Sequence, residues 1–93
     1  MGGKKQLDKP KRMGEKVRDI RLRLGLTQHE MFEQLERHGA KIHTGYIGLY
    51  EVNERVPALK VTLAYARAAG IHMEILVDDE LDLPKKLPGK SKH

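Results

Sequence analysis

Eighteen lysines and arginines, thirteen carboxylates and five histidines are the side chains of this sequence that could do chemistry. His38 and His43 bracket a short stretch and invite a metal ion. No cysteine and no carboxylate at matching spacing completes a ligand set around them, so no metal is expected. Asp78, Asp79, Glu80 and Asp82 offer oxygen ligands for a divalent cation, but equally form the solvated acidic end of a helix. No nucleophile has a base at a recognisable spacing. The glycines near the N-terminus follow no strand, so they form no phosphate-cradling loop. These residue types point away from an enzyme and away from a cofactor, and leave binding as the class of function.

Charge gives that binding a direction. The net charge is +5, and nine of the 18 basic residues fall in the first 25 positions. Lys4, Lys5, Lys9, Lys11 and Arg12 cluster ahead of any helix, whereas residues 61–84 are acidic. A basic end suits a polyanion such as nucleic acid, or serves only as a solubilising tail. Ninety-three residues make one domain. The absence of cysteine fits a reducing cytoplasm. No run approaches the roughly 20 apolar residues of a membrane helix, and the start lacks the apolar core of a signal peptide, so no membrane partner is expected.

The elements that would position these groups are helices. Residues 1–10 resemble a basic disordered arm, 11–80 a folded domain, and 81–93 an extended tail. Met13, Val17, Ile20 and Leu24 recur at three- and four-residue spacing and predict a first helix, stopped at Gly25 by a left-handed cap. Thr27-Gln28-His29-Glu30 is a capping box opening a second helix, with Met31, Phe32 and Leu35 inward. A third, short helix is expected over 44–52, ended by Asn53, and a fourth over 59–69, ended by Gly70. Leu59, Leu63, Ala66 and Ala69 would form the packing face of the fourth. A fifth helix, about 72–79, turns Met73 and Leu76 inward. The expected core is Val17, Ile20, Leu24, Leu35, Ile47, Leu63, Ala66 and Leu76. No strand pattern and no repeat is visible.

The order of these pieces resembles the Cro/repressor-type (XRE) helix-turn-helix family over Gly14 to Leu76. The resemblance is carried by Val17-Arg18-x-Ile20-Arg21-x-x-Leu24-Gly25-Leu26-Thr27-Gln28, by Glu51, Asn53 and Arg55-Val56-Pro57, and by Leu59 to Leu76 with Gly70-Ile71 inside it. It implies an all-α, five-helix, lambda-repressor-like domain that binds double-stranded DNA as a homodimer and regulates transcription, with repression by promoter occlusion. An alternative on the same fold is a module for a protein partner, such as the antitoxin of a toxin. Two departures from the family stand out. The turn between the second and third helices is several residues longer, and Phe32 stands where the family has a small residue. Gly45 and Gly48 would make room for that ring, at a cost of about 1 kcal/mol of helix stability each, so the third helix is expected to be the least stable and to order fully on DNA.

Carried over residue by residue, the resemblance places Thr44, Gly45 and Leu49 where bases are read, with Tyr46 beside them. Asn53 and Arg55 fall where backbone phosphates are held. Lys41 and His43 flank the third helix within reach of phosphate. Gln28, at the positive end of the second helix, would donate to a phosphate, or is an ordinary exposed polar residue. No Arg, Asn or Gln stands at the base-reading positions, so no bidentate base contact is on offer there. Leu49 can touch a thymine methyl, and Thr44 or Tyr46 can make single hydrogen bonds; Tyr46 and Leu49 also suit packing or a subunit contact. Ile75, Val77, Leu81 and Leu83 would supply the dimer surface, unless the two tail leucines fold back on their own domain.

Overall fold

The structure, a computed structural model, describes residues 9–88. Its regular elements are five helices: α1 (Met13–Arg23), α2 (Gln28–Arg37), α3 (Tyr46–Glu51), α4 (Leu59–Ala69) and α5 (Met73–Val77). No strand occurs among the described residues, so the fold is all-α. The basic segment 1–8 and the terminal residues 89–93, expected to be an arm and an extended end, lie outside the described residues. Among the described residues no helix is long and apolar enough to cross a membrane.

Local chemistry sets most helix ends. Gly25 and Gly70 adopt φ of +75° and +73° and stop α1 and α4, a backbone state that costs glycine nothing. Thr27 accepts a hydrogen bond from the Glu30 amide while Glu30 accepts one from the Thr27 amide, so the capping box is formed in full. Asn53, at φ +62°, turns the chain after α3.

The start of α1 is held differently, because Arg12 at its N-cap makes no side-chain cap. Two distant segments take over. The Asn53 side-chain oxygen accepts from the Gly14 amide at 2.9 Å. The Asp79 carboxylate accepts from the amides of Lys11 and Arg12 at 2.9 and 3.0 Å, and those two donors hold its carboxyl below the usual carboxylate range. Gly14 permits this closeness: a Cβ there would lie 2.8 Å from both Asn53 Oδ1 and the Tyr50 carbonyl oxygen.

Val17, Ile20, Leu35, Ile47, Ala66 and Leu76 are buried as the spacing predicts, while Leu24 and Leu63 are half-buried. The expected face of α4 needs correction. Leu59 is 71% exposed, whereas Val61, Ala64, Tyr65 and Ala68 join Ala66 and Ala69 in the core. Helix α4 packs against α1, α2 and α5, so a wide arc of it is covered and its alanines let the neighbours approach. Lys16 is also buried. It sits on the α1 stripe and donates to the carbonyls of Ile75 (2.7 Å) and Asp78 (3.0 Å), tying down the end of α5; burial lowers its pKa.

The tail corrects a second expectation. Residues 81–88 fold back instead of extending away: Leu87 is buried and Leu83 packs against the core. Two arginines, one at the N-cap and one in the last turn of α1, grip this segment by its backbone. Arg12 donates to the carbonyls of Asp79 and Leu81 and to the Asp82 carboxylate, and Arg23 to the carbonyls of Pro84 and Lys85. Arg12 therefore belongs to the fold and not to a free arm.

Helix α3 has six residues, shorter than the 44–52 expected, so Thr44 and Gly45 precede it. The two glycines do not accommodate Phe32: a Cβ at Gly45 would meet nothing within 4 Å, and one at Gly48 only the Gln28 side chain at 3.6 Å. The longer α2–α3 turn is packed, with Ala40 buried and Ile42 against the core. Because 3.6 Å is an ordinary contact, Gly48→Ala should stabilise the protein by about 0.5–1 kcal/mol, from the lower entropy cost of fixing alanine in a helix. Urea unfolding checks this; a destabilised variant would mean that α3 cannot take the extra carbon.

Candidate functional site

One side of α3 is fixed and the other is open. Ile47 and Tyr50 are buried. Glu51, at the last turn, forms a two-pronged pair with Arg21 of α1: Nε to Oε2 at 2.6 Å and Nη2 to Oε1 at 3.0 Å. Both side chains are almost fully covered, and the hydrogen bond to Glu51 raises the arginine pKa further. Arg21 Nη1 also donates to the Leu26 carbonyl, so one guanidinium ties α1, the start of α2 and α3 together. Gln28 adds a strut: its amide nitrogen donates to Glu51 Oε1 at 3.3 Å and its side chain rests on Gly48. The result is a short helix whose position is set from three directions.

The open side carries Tyr46 and Leu49, one helical turn apart, with Leu49 37% exposed. The loop after α3 turns back along this side, since the amides of Glu54 and Arg55 both donate to the Leu49 carbonyl, at 2.9 and 3.3 Å. That reversal lays the Arg55 guanidinium over the Tyr46 ring, 3.9 Å from its centroid. A cation–π contact at an exposed site contributes about 0.5–1 kcal/mol, enough to favour one placement of an otherwise free side chain. His43 also meets Tyr46, the two rings in an edge-to-face arrangement with centroids 5.2 Å apart. Tyr46, Tyr50 and Tyr65 continue edge-to-face into the core. Tyr65 ends the series with a buried hydroxyl that has no hydrogen-bond partner; burial pushes its pKa far above the usual phenol range, and the nearby Glu51 charge adds to this.

Of the residues singled out in the sequence, Gln28, His43, Thr44, Gly45, Tyr46, Leu49 and Arg55 lie along this side or at its rim, and Lys41 is exposed on the adjoining turn. Asn53 is the exception. Its side-chain oxygen accepts from Gly14 and its amide nitrogen donates to the Lys11 carbonyl, so both ends of the group are engaged inside the fold and it positions the loop instead of reaching outward. Gln28 is likewise turned toward Glu51, though exposed. At the start of α2 the capping box uses the Thr27 and Glu30 amides, leaving those of Gln28 and His29 as the first-turn donors for an outside acceptor. The Glu30 carboxylate beside them reduces the attraction for an anion.

Sequence reasoning missed the Arg21–Glu51 pair, although a carboxylate following the inward Tyr50 was a visible signal. It also missed Lys16, an amine at the i+3 position of an otherwise apolar stripe. Among the described residues no three His, Asp or Glu side chains converge as a metal site would require. Compared with known proteins, the chain matches no family model, no curated protein and no solved structure.

Proposed function

We propose that this domain binds double-stranded DNA through the open side of α3 and acts as a transcriptional regulator of the Cro/repressor type. The observation that carries the reading is the mounting of α3: a short helix clamped by Arg21, Gln28 and the Gly14 contact, with Tyr46, Leu49 and Arg55 presented together on its uncovered side. A helix held this way is rigid enough to enter a major groove, which has room for one helix. The start of α2 would then approach one flanking phosphate, and Lys41 and His43 on the long turn another. Occlusion of a promoter is the action on transcription that DNA binding by itself supplies.

Selection from random duplexes with the purified full chain tests the reading directly: one enriched sequence family is expected, and no enrichment would refute it. Lys41→Ala should weaken binding to all duplexes alike and reduce the slope of log affinity against log salt by about 1, because a phosphate contact releases one counterion's worth of salt and carries no sequence information. A shift in base preference without a change of slope would take Lys41 off the phosphate backbone.

Two copies on adjacent half-sites would double the few base contacts one α3 can make. Of the two tail leucines expected at that surface, Leu83 packs against its own core while Leu81 is only half-buried. On α5, Val77 is 41% exposed and Ile75 half-buried, so both stay available to the expected dimer face. A protein partner is the second reading, favoured by Val52 (64% exposed) and Val56 on the loop next to α3; co-purification from the native cell would reveal it.

A further inference from the structure

The base-reading positions taken from the sequence hold threonine, glycine and leucine, none of which can make the two-pronged contact that distinguishes one base pair from another. The structure brings a group that can. Arg55 belongs to the loop after α3, yet its backbone is bonded to Leu49 and its guanidinium lies on Tyr46, so it reaches back along the open side of the helix to the first turn. Among the described residues it has no carboxylate partner. The charged and titratable groups around it are the Tyr46 ring, the Tyr50 hydroxyl and His43, which also meets Tyr46. None of these neutralises it.

We infer that Arg55, seated on Tyr46, is the residue with which this domain reads guanine in the major groove. The inference rests on the DNA-binding reading above. A guanidinium lying on an aromatic ring keeps its N–H donors in its own plane, with its outer edge available, and that fork matches the O6 and N7 acceptors of guanine. Stacking fixes the plane beforehand, so less freedom is lost on contact. A phosphate would also accept this fork, but the guanidinium is held on Tyr46, in the first turn of α3, and travels with that helix into the groove. Tyr46 thereby becomes a platform for the reading group more than a reader itself.

The experiment compares full-length wild type with Arg55→Lys, Tyr46→Phe and Tyr46→Leu, each shown to be folded by circular dichroism. Binding is titrated on the sequence wild type selects and on duplexes with each guanine replaced in turn. Arg55→Lys keeps the charge and loses the fork. It should bind the selected site about ten- to hundredfold more weakly, the range a bidentate base contact provides, and lose its preference at one guanine with the salt slope unchanged. Tyr46→Phe keeps the platform and should keep the preference at that guanine whatever its overall affinity, whereas Tyr46→Leu should show part of the Arg55→Lys loss of preference there. If Arg55→Lys weakens every duplex equally, or keeps the wild-type base preference, Arg55 is a phosphate contact and the inference fails while DNA binding stands. A wild-type chain that enriches no duplex overturns both.

Discussion

Glu51→Ala is expected to cost about 3–5 kcal/mol of folding stability, the range for removing one partner of a buried ion pair. The carboxylate is 3% and the guanidinium 12% exposed. Removing the acid leaves Arg21 nearly covered, with only the Leu26 carbonyl to compensate its charge, and cuts the Gln28 strut as well. Small domains have about 5–15 kcal/mol in total, so the variant should unfold early in a urea titration and bind nothing at elevated temperature. The penalty is the stranded charge and not the worth of the pair, which a second variant separates. Replacing both partners with apolar residues, Arg21→Met with Glu51→Leu, should restore most of the stability. A Glu51→Ala protein within about 1 kcal/mol of wild type would mean that the pair behaves as a solvated surface bridge.

Ending the chain after Asp82 is the second large effect. A free, extended tail could be removed at no cost. Here truncation uncovers the core sites of Leu83 and Leu87 and strips Arg23 of its acceptors at Pro84 and Lys85. Burying a leucine fully contributes about 1.5–3 kcal/mol; with Leu83 only partly covered, the two together give a loss of about 3–4 kcal/mol. For a domain of this size each kcal/mol moves the melting point by about 4–8 °C, so a fall of more than about 10 °C is expected in a calorimetric scan. An unchanged melting temperature would show that the segment does not hold to the core in solution. Leu87→Ala alone should reproduce the larger share of the effect, which ties the loss to burial and not to chain length.

The parts of this fold that were legible in the sequence are those governed by neighbours along the chain. Thr27 and Glu30 form their cap, and Gly25, Gly70 and Asn53 turn where expected, because each depends on a few residues of local backbone. The α1 stripe was visible because its period is that of the helix itself. What was hidden depends on contacts across the chain. The α4 residues Leu59 and Val61 are equally apolar, and only the placement of α1, α2 and α5 decides that the valine is covered and the leucine is not. Arg12 reads as part of a basic arm until Asp79, Leu81 and Asp82 are seen around it. The open side of α3 was legible as a register but not as chemistry. Arg55 stands beyond the end of the helix that carries Tyr46, and the loop reversal at Leu49 joins them.

The long-range cap on α1 has a consequence for how the protein is made. The amide of Arg12 waits for Asp79, 67 residues later. At roughly 5–20 residues per second, a ribosome needs several seconds to supply the second partner after the first has left it. During that interval the opening helix lacks the acceptors at its start, the Arg12 and Arg23 guanidinia have no tail to hold, and the groove that Leu83 and Leu87 will fill is open. Completion of the fold is thus deferred until residues 79–87 have emerged. The half-made domain, basic in and just before α1, is exposed to the polyanionic surface of the ribosome that is making it.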